Sequence, residues 1–528
     1  MTATPWGFRD ILPEEAQARE EIACTVKGCF REHHYLPVET PLLEDKGSLE
    51  EGGRIADTPF KLFDDDGRLL VVRPDNTLPI VRLVSTRMRA ADLPLRLRYE
   101  APVVRECQRN AGGSRQFTQL GFELIGAGDT AGDVEIVSLV AEAVRKLALP
   151  DARIIAGSVR PFKELLAACE DRELAAEALR CVHANDFVGL DARVAVSVES
   201  DAVKAAISEL PRLHGGAEVL DRVDALLEAA GIVAPLTREL RALVEGLAPE
   251  DAQVLSFDFS IMNSFDYYTG LVFKAYAGGL PDPVGSGGRY DSIFTGAFGD
   301  GIEAPAAGFA FSLERLEAAG LDVSELRDPG RHLIVRGRDT RAGEGTVGDI
   351  EFVIVRPSDA PAFVGCGGAD CGICGWDSLI EADLNLLQLV DLGYGLCTFI
   401  EAEPAWRAGQ AERNYARRGS LRVATKYPRI ASAWYAERGV NADIVSLHGN
   451  IELGPIVGMT DRIVDITATG ATLRDNDLVI TGRIMDCTAR FFVNPGAARL
   501  DPRVRNLADR LAAAVKDKHF EPVAGSAQ

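Results

Sequence analysis

Between Glu14 and His33 the apolar residues Ile22, Val26 and Phe30 recur at every fourth position, while Arg19, Glu20 and Lys27 fall largely off that line. The spacing predicts an amphipathic helix. Short apolar runs at Leu69–Arg73, Leu97–Tyr99 and Phe117–Ile125 read as strands. From about Pro161 to Leu247 the texture changes to Ala, Leu, Glu and Arg at helical spacing, with Leu165, Leu166, Leu174 and Leu179, then Leu226, Leu227, Leu240 and Leu243. A helical insertion is expected there. Alternation returns over Val254–Met262, where Leu255, Phe257, Phe259 and Ile261 take turns with Ser256, Asp258 and Ser260. That is the period-2 signature of a strand with one buried face. A strand Gly270–Tyr276 follows, then a Gly/Pro-rich loop over Gly278–Gly288, a strand Ala306–Phe311 and a helix from Ser312. Strands separated in this manner by long loops and helices suggest an α+β domain.

Around Asp322–Gly330 an Asp-Pro-Gly turn marks a change. Beyond it, short apolar strands at His332–Val335, Glu351–Val355, Val423–Thr425, Ile444–Leu447 and Arg462–Ile466 alternate with helices, an α/β texture. A last helix is marked by Asp501 as N-cap and Pro502 at its first position. No internal repeat is visible, so the chain reads as two fused proteins of different class: residues 1–320, a linker at 321–330, and residues 331–518.

Composition narrows the function classes. At ~150 residues per domain, 528 residues imply three or four domains. With 47% hydrophobic and 26% charged residues, collagen-like and disordered classes are excluded. The net charge of −22 repels phosphate backbones, so nucleic acid is not an expected partner. The start, Met-Thr-Ala-Thr-Pro-Trp-Gly-Phe, lacks a basic stretch and an apolar core, and no apolar run reaches ~18 residues, so neither a signal peptide nor a membrane span is expected. Ten cysteines without a regular framework suit reduced thiols in a cytoplasm. Cys366, Cys371 and Cys374 invite a zinc reading but lack a fourth close ligand, and no metal held by protein side chains is expected.

Three segments of the first half carry chemistry. One is Val72-Arg73-Pro74-Asp75-Asn76-Thr77; another is Arg105-Glu106-Cys107 continuing through Arg115-Gln116-Phe117-Thr118-Gln119-Leu120-Gly121-Phe122-Glu123. The third is Asp266-Tyr267-Tyr268-Thr269-Gly270, followed by Gly287-Gly288-Arg289-Tyr290-Asp291 and Gly308-Phe309-Ala310-Phe311-Ser312-Leu313-Glu314-Arg315-Leu316. Gln119 or Glu123 taken singly could equally satisfy buried backbone groups. As a set, a sheet floor lined with polar groups is costly unless it meets a ligand.

In this order the segments resemble the catalytic core of histidyl-tRNA synthetase, over nearly all of residues 1–320. The resemblance implies a class II aminoacyl-tRNA-synthetase-like core, an antiparallel sheet with the helical insertion at about 161–247. Two departures bear on function. The family's Arg-x-Glu, whose Arg meets the ATP phosphates, is here Arg105-Glu106-Cys107, and its Arg-Gly ahead of the Tyr-Tyr signature is Asn263-Ser264. Losing a cation aimed at developing charge costs ~10²–10³ in rate. Adenylation is therefore expected to be disabled while the amino-acid side is kept. By resemblance, Asp75 faces the amino group, and Gln119, Glu123, Tyr267 and Tyr268 line the pocket with Arg105 beside them. This is the pattern of ATP phosphoribosyltransferase regulatory subunits, synthetase paralogues that mediate histidine feedback.

In the second half an apolar strand brings Asp465 ahead of Thr469-Gly470-Ala471-Thr472. Backbone N–H groups and two hydroxyls there suit a phosphate, and Asp465 could accept hydrogen bonds from ribose hydroxyls. Alone, the stretch reads equally as a turn with a threonine N-cap. Ahead of it stand Val355-Arg356-Pro357-Ser358-Asp359, Gly372-Ile373-Cys374-Gly375-Trp376-Asp377, Val423-Ala424-Thr425-Lys426-Tyr427-Pro428 and Gly449-Asn450-Ile451-Glu452-Leu453-Gly454-Pro455.

The series resembles the short-form catalytic subunit of ATP phosphoribosyltransferase. The resemblance implies a two-lobed α/β unit like periplasmic binding proteins, lobe 1 at 331–398 and 480–518, lobe 2 at 399–479. ATP and phosphoribosyl pyrophosphate would meet in the cleft, with Mg²⁺ carried on the phosphates. Arg356 and Arg331 would face the leaving pyrophosphate, and Asp465, Thr469, Gly470, Ala471 and Thr472 would hold the phosphoribosyl group. Gly375, Asp377, Lys426 and Glu452 would line the nucleotide cleft. Arg331 could equally be a surface ion pair, and Lys426 a solvated side chain. Histidine would act as an inhibitor, and a homo-oligomer, a tetramer, would be the assembly. A Leu-Pro-Lys-Gly-Arg strand that opens such subunits is not found. That gap leaves open a non-catalytic metabolite sensor, beside the further alternative of a synthetase-like enzyme.

Overall fold

The protein is described by a computed structural model covering residues 4–47, 60–88, 92–106, 114–128, 130–261, 268–291, 304–320, 331–334, 343–347, 350–467, 473 and 476–516, with 331–334 and 343–347 described as backbone. The chain forms two compact units, Met1–Pro329 with Pro495–Pro502, and Gly330–Asn494 with Arg503–Gln528.

The opening helix of the first unit runs Pro13–Glu32, with Pro13 in its first turn and Glu14 and Glu15 at the positive end of its dipole. It buries Ala23, Val26, Cys29 and Phe30, and the Phe30 ring meets Phe122 edge-on at 5.0 Å, fixing the helix to the main sheet. That sheet has nine strands among the described residues. From one edge they are Leu36–Pro37, Leu95–Val104, Gln116–Ile125, Ala306–Ser312, Gly285–Arg289, Leu271–Tyr276, Arg153–Ser158, Leu255–Asp258 and His214–Gly215. All neighbours pair antiparallel except Leu36–Pro37 with Leu95–Val104 and Arg153–Ser158 with Leu255–Asp258.

Two expectations are corrected here. The stretch Gly278–Gly288 is not wholly a loop, because Gly285–Arg289 is a central strand. Its glycines admit close neighbours: a Cβ on Gly285 would fall 2.5 Å from the Phe309 ring, and one on Gly287 2.1 Å from the Gly308 carbonyl. The alternating run Val254–Met262 stops being a strand after Asp258, whose carboxylate accepts from the Ser260 N–H at 2.8 Å and turns the chain. The helical stretch holds from Arg160–Ala168 to Arg238–Gly246, apart from His214–Gly215, which joins the sheet edge.

In the second unit one sheet has six strands, ordered Gly343–Val347, Ile350–Ile354, Arg331–Ile334, Cys371–Gly375, Ala489–Val493 and Leu387–Asp391. Arg331–Ile334 is thus an inner strand, parallel to its neighbours on both sides. The other sheet has five, ordered Ala442–Ser446, Leu421–Thr425, Arg462–Thr467, Cys397–Pro404 and Leu478–Cys487. The chain therefore passes between the two sheets at 392–396 and again at Thr488, the first crossing earlier than the expected 398/399 boundary and the second later than 479/480. Near these crossings the helices Trp376–Ala382 and Pro428–Glu437 meet. The Glu381 carboxylate accepts the first-turn N–H groups of Arg429 and Ile430 at 3.2 and 2.8 Å.

Pro495–Pro502, late in the sequence, packs in the first unit through Arg499. The guanidinium lies 3.2 Å from Asp258, with side-chain exposures of 4% and 2%, donates to Ser260 Oγ at 3.0 Å, and stands over the Tyr276 ring. Breaking a buried ion pair from one side leaves an uncompensated charge. Arg499→Ala is expected to destabilise the first unit by about 3–5 kcal/mol, read as a lowered denaturant midpoint. Arg499→Ala combined with Asp258→Ala should recover part of the loss.

Candidate functional site

The pocket of the first unit is built on the alternation of one strand. In Gln116–Ile125, Gln119, Gly121 and Glu123 share a face. Opposite them on one side stand Ser312, Ala310 and Gly308, and on the other Ala101, Tyr99 and Leu97. The small residues are required by their neighbours. A Cβ on Gly308 would fall 1.7 Å from Glu123 Oε2, and one on Gly121 2.3 Å from the Tyr99 ring.

Glu123 is 1% exposed, and its carboxylate accepts hydrogen bonds from the hydroxyls of Thr77 (3.0 Å), Tyr99 (3.4 Å) and Tyr290. Burial pushes its pKa up to about 7 against the pull of these hydroxyls. Beside it, the loop before helix Thr77–Arg87 is pinned by buried Arg73, which donates to the carbonyls of Thr40, Pro41 and Pro102 at 2.8, 3.1 and 2.9 Å. Asn76 Nδ2 donates to Gln119 Oε1 at 2.9 Å. The Asp75 carboxyl is buried and raised by desolvation, with Arg105 and the N–H groups of Leu78 and Thr77 opposing the rise. Arg105 itself is held by the Pro74 carbonyl at 2.7 Å and lies over the Phe117 ring.

The structure thus brings five of the six expected pocket residues together: Asp75, Arg105, Gln119, Glu123 and Tyr268 line one cavity, with Ser286, Gly287 and Gly308 beside them. Tyr267 lies outside the described residues, as do Cys107, Asn263 and Ser264. Thr77, Tyr99 and Tyr290 were not singled out. Each supplies a hydroxyl to Glu123, and Thr77 and Tyr290 stand within motifs already picked out by their chemistry. Two buried carboxyls, one guanidinium and a ring of hydroxyls suit a small zwitterion whose side chain carries an N–H.

In the second unit Asp465 sits on strand Arg462–Thr467 and is raised by burial, with its carboxylate oxygen accepting the Ile466 N–H at 2.9 Å. Lys426, exposed, pulls it back, and Glu452 pushes it further. Burial raises the Tyr427 hydroxyl, and the Asp377 and Asp465 charges facing it add to the rise. Its ring stands edge-on to Phe399 at 4.7 Å. Asp377 and Asp465 therefore face Tyr427, while Lys426 and Glu452 stand near Asp465. Gly375 ends the strand leading into Asp377, where a Cβ would fall 2.1 Å from the Asp377 carboxylate. Arg356, after strand Ile350–Ile354, is exposed. Arg331 is placed by its backbone on an inner strand, and Thr469, Gly470, Ala471 and Thr472 lie outside the described residues.

Among the described residues the one group of three potential metal ligands is Asp64, Asp65 and Asp66. Cys371 and Cys374, buried on strand Cys371–Gly375, are three positions apart and so face opposite sides of the sheet, while Cys366 is exposed. No helix among the described residues is long and apolar enough to cross a membrane.

Residues 7–316 match the family profile of histidyl-tRNA synthetase, and residues 356–513 that of ATP phosphoribosyltransferase. The chain is 37% identical over 346 residues to the ATP phosphoribosyltransferase regulatory subunit of Moorella thermoacetica, covering 64% of this chain and 87% of that protein. It is 46% identical over 192 residues to the ATP phosphoribosyltransferase of Rubrobacter xylanophilus, covering 36% of this chain and 84% of that one. Among solved structures, an ATP phosphoribosyltransferase regulatory subunit/histidyl-tRNA synthetase from Bacillus halodurans C aligns with a TM-score of 0.56 at 30% identity, covering 64% of this chain and 86% of that one.

Glu123 gives the first unit a pH dependence whose sign can be worked out. Its pKa rises from 4.5 to about 7 on folding, so the folded unit holds a proton that the unfolded chain releases. That contribution is fully present below about 4.5 and is lost as pH rises through about 7, about 3 kcal/mol in all. Glu123→Gln is expected to flatten the fall in stability across this window, measured by denaturation at successive pH values.

Proposed function

The chain belongs to the ATP phosphoribosyltransferase family, its regulatory and catalytic parts joined in one polypeptide, and on that premise we propose how its two sites work together. The protein is a glycosyltransferase of histidine biosynthesis that condenses ATP with phosphoribosyl pyrophosphate to give phosphoribosyl-ATP and pyrophosphate. This sets aside the sensor and amino-acid-activating alternatives. In our reading residues 1–320, completed by Pro495–Pro502, form the regulatory domain and the rest of 331–518 the catalytic one, its two sheets being lobes of the periplasmic-binding-protein kind with the reaction between them.

Adenine N1 attacks C1′ of the phosphoribosyl group as the C1′–O bond breaks and the electron pair leaves with pyrophosphate. Charge develops on the leaving oxygen, so cations aimed there carry most of the acceleration. Arg356, exposed beyond its strand, is available for this role, and Arg331 is assigned to the same polyphosphate. Asp465 and the Thr469–Thr472 loop hold the ribose and its phosphate, while Gly375, Asp377, Lys426 and Glu452 border the nucleotide. Asp377, Asp465 and Glu452 are hard oxygen donors suited to Mg²⁺. They do not gather as a ligand cluster, so the ion would depend on substrate phosphates for the rest of its shell.

The observation that carries the regulatory reading is the pocket floor of Asp75, Gln119 and Glu123 beneath three hydroxyls, which suits histidine. Glu123 accepts from the imidazole N–H and Asp75 from the α-ammonium group. Histidine there lowers turnover in the second unit, and whatever part of this comes from weaker substrate binding must be matched by an equal weakening of histidine binding by substrate. The net charge of −22 suits a synthetase-like core that no longer holds tRNA. A cytoplasmic homotetramer is the proposed assembly, checked by light scattering.

The purified chain should form phosphoribosyl-ATP, and histidine should lower the rate. Gly308→Ala is expected to raise the histidine concentration for half-inhibition at least tenfold, since its methyl occupies the place of the Glu123 carboxylate. Arg356→Ala should reduce turnover by ~10²-fold or more. Near-normal turnover would remove Arg356 from the mechanism, and unchanged inhibition in Gly308→Ala would place the histidine site elsewhere.

A further inference from the structure

The two crossings between the sheets of the second unit are each marked by a cysteine. Cys397 is the first residue of the strand that enters the five-stranded sheet, and Cys487 the last of the strand that leaves it, with only Thr488 before the six-stranded sheet resumes at Ala489. The two are direct antiparallel partners, followed in register by Thr398 opposite Asp486, whose side chains hydrogen-bond at 2.6 Å. Directly opposed residues of antiparallel strands hold their Cα atoms about 4.5–5.5 Å apart. That lies within the roughly 4.4–6.8 Å a disulfide accepts. Cys397 is half-buried and Cys487 buried, and the two thiols are hydrogen-bonded to each other.

We propose that Cys397 and Cys487 are a modification site, a reversible disulfide that joins the two hinge strands and slows catalysis by restricting lobe movement. The oxidant is a low-molecular-weight disulfide. The Cys397 thiolate attacks one of its sulfurs, expelling one thiolate and forming a mixed disulfide. Cys487 then attacks the Cys397 sulfur, expels the second thiolate and closes the bridge. The protein loses two hydrogens as two protons and two electrons, and the oxidant leaves as two thiols. Cys397 is the more accessible of the two thiols, which assigns the first attack to it.

The bridge has a route to the site. The Asp377 N–H donates to the Cys487 sulfur, and the Trp376 N–H donates to the Thr488 carbonyl at 3.0 Å, so the start of helix Trp376–Ala382 is fastened to this crossing. Asp377 is one of the charges facing Tyr427. Both strands run on from the cysteines into the five-stranded sheet that carries Asp465. Cross-linking them stiffens the connection about which the lobes would close over substrate. The catalytic consequence rests on the two-lobed reading above, whereas the bridge itself does not.

The test is incubation of the full chain with oxidised glutathione, followed by peptide mapping and by assay of phosphoribosyl-ATP formation. The expected result is a Cys397–Cys487 peptide pair lighter by two hydrogens, at least a tenfold fall in turnover, and recovery with dithiothreitol. Cys397→Ser and, separately, Cys487→Ala should keep the reduced chain's turnover and no longer lose it to the oxidant. Glutathione held on Cys397 alone, no bridge at all, or a bridged chain with full turnover would each overturn the proposal. If the reduced chain forms no product, the functional reading fails on its own. The peptide map, with ATP affinity of bridged and reduced chain by calorimetry, then decides the site: equal affinities would count against it.

Discussion

The carboxyl of Glu123 is taken out of water and met by hydroxyls, and the first unit is arranged around that cost. Desolvating a carboxylate is unfavourable unless hydrogen bonds or a proton compensate it. Here Tyr290, Thr77 and Tyr99 supply hydroxyls, and the raised pKa lets a proton share the work near neutrality. The requirement spreads outward. Gly308 is glycine because the carboxylate fills the space of its side chain, and Gly121 because Tyr99 reaches across it. Helix Thr77–Arg87 must begin where Thr77 can donate, which Arg73 secures by fixing the preceding loop on three carbonyls.

Much of this was legible in the sequence, and the gaps have physical causes. The helix Pro13–Glu32 announces itself by period and the inner strand Gln116–Ile125 by its apolar run. Gly285–Arg289 does not, because a strand made largely of glycine carries no alternation and looks like a loop. What requires its glycines is the bulk of Phe309 and Tyr268 packed against them, information that resides elsewhere in the chain. Val254–Met262 erred in the other direction, since alternation continued past the point where Asp258 turned to cap its own successors. Motif residues placed Asp75, Gln119 and Glu123 correctly in one pocket. Tyr99 escaped because a tyrosine on an apolar strand looks like core until its hydroxyl is traced.

The charge of −22 takes on a more local meaning. Around Tyr427 the carboxylates of Asp377 and Asp465 have Lys426 as an exposed neighbour, so these residues do not by themselves form a basic surface. Attraction for polyphosphates would then be concentrated on a few guanidinium groups and on the metal the substrates bring. In a protein otherwise repelling anions, that arrangement would confine phosphate binding to one place.

Pro495–Pro502 comes late in the sequence yet packs with residues 1–329, where Arg499 neutralises a buried aspartate. A cut between residues 321 and 330 would therefore divide the polypeptide along a line different from the one its packing draws. The amino-terminal fragment would lose the cation that completes its interior, and the carboxy-terminal fragment would carry that cation without its counter-charge. Fusion in this chain is more than a tether: the first unit borrows a piece of chain encoded after most of the second, so neither product of such a cut would be a whole domain.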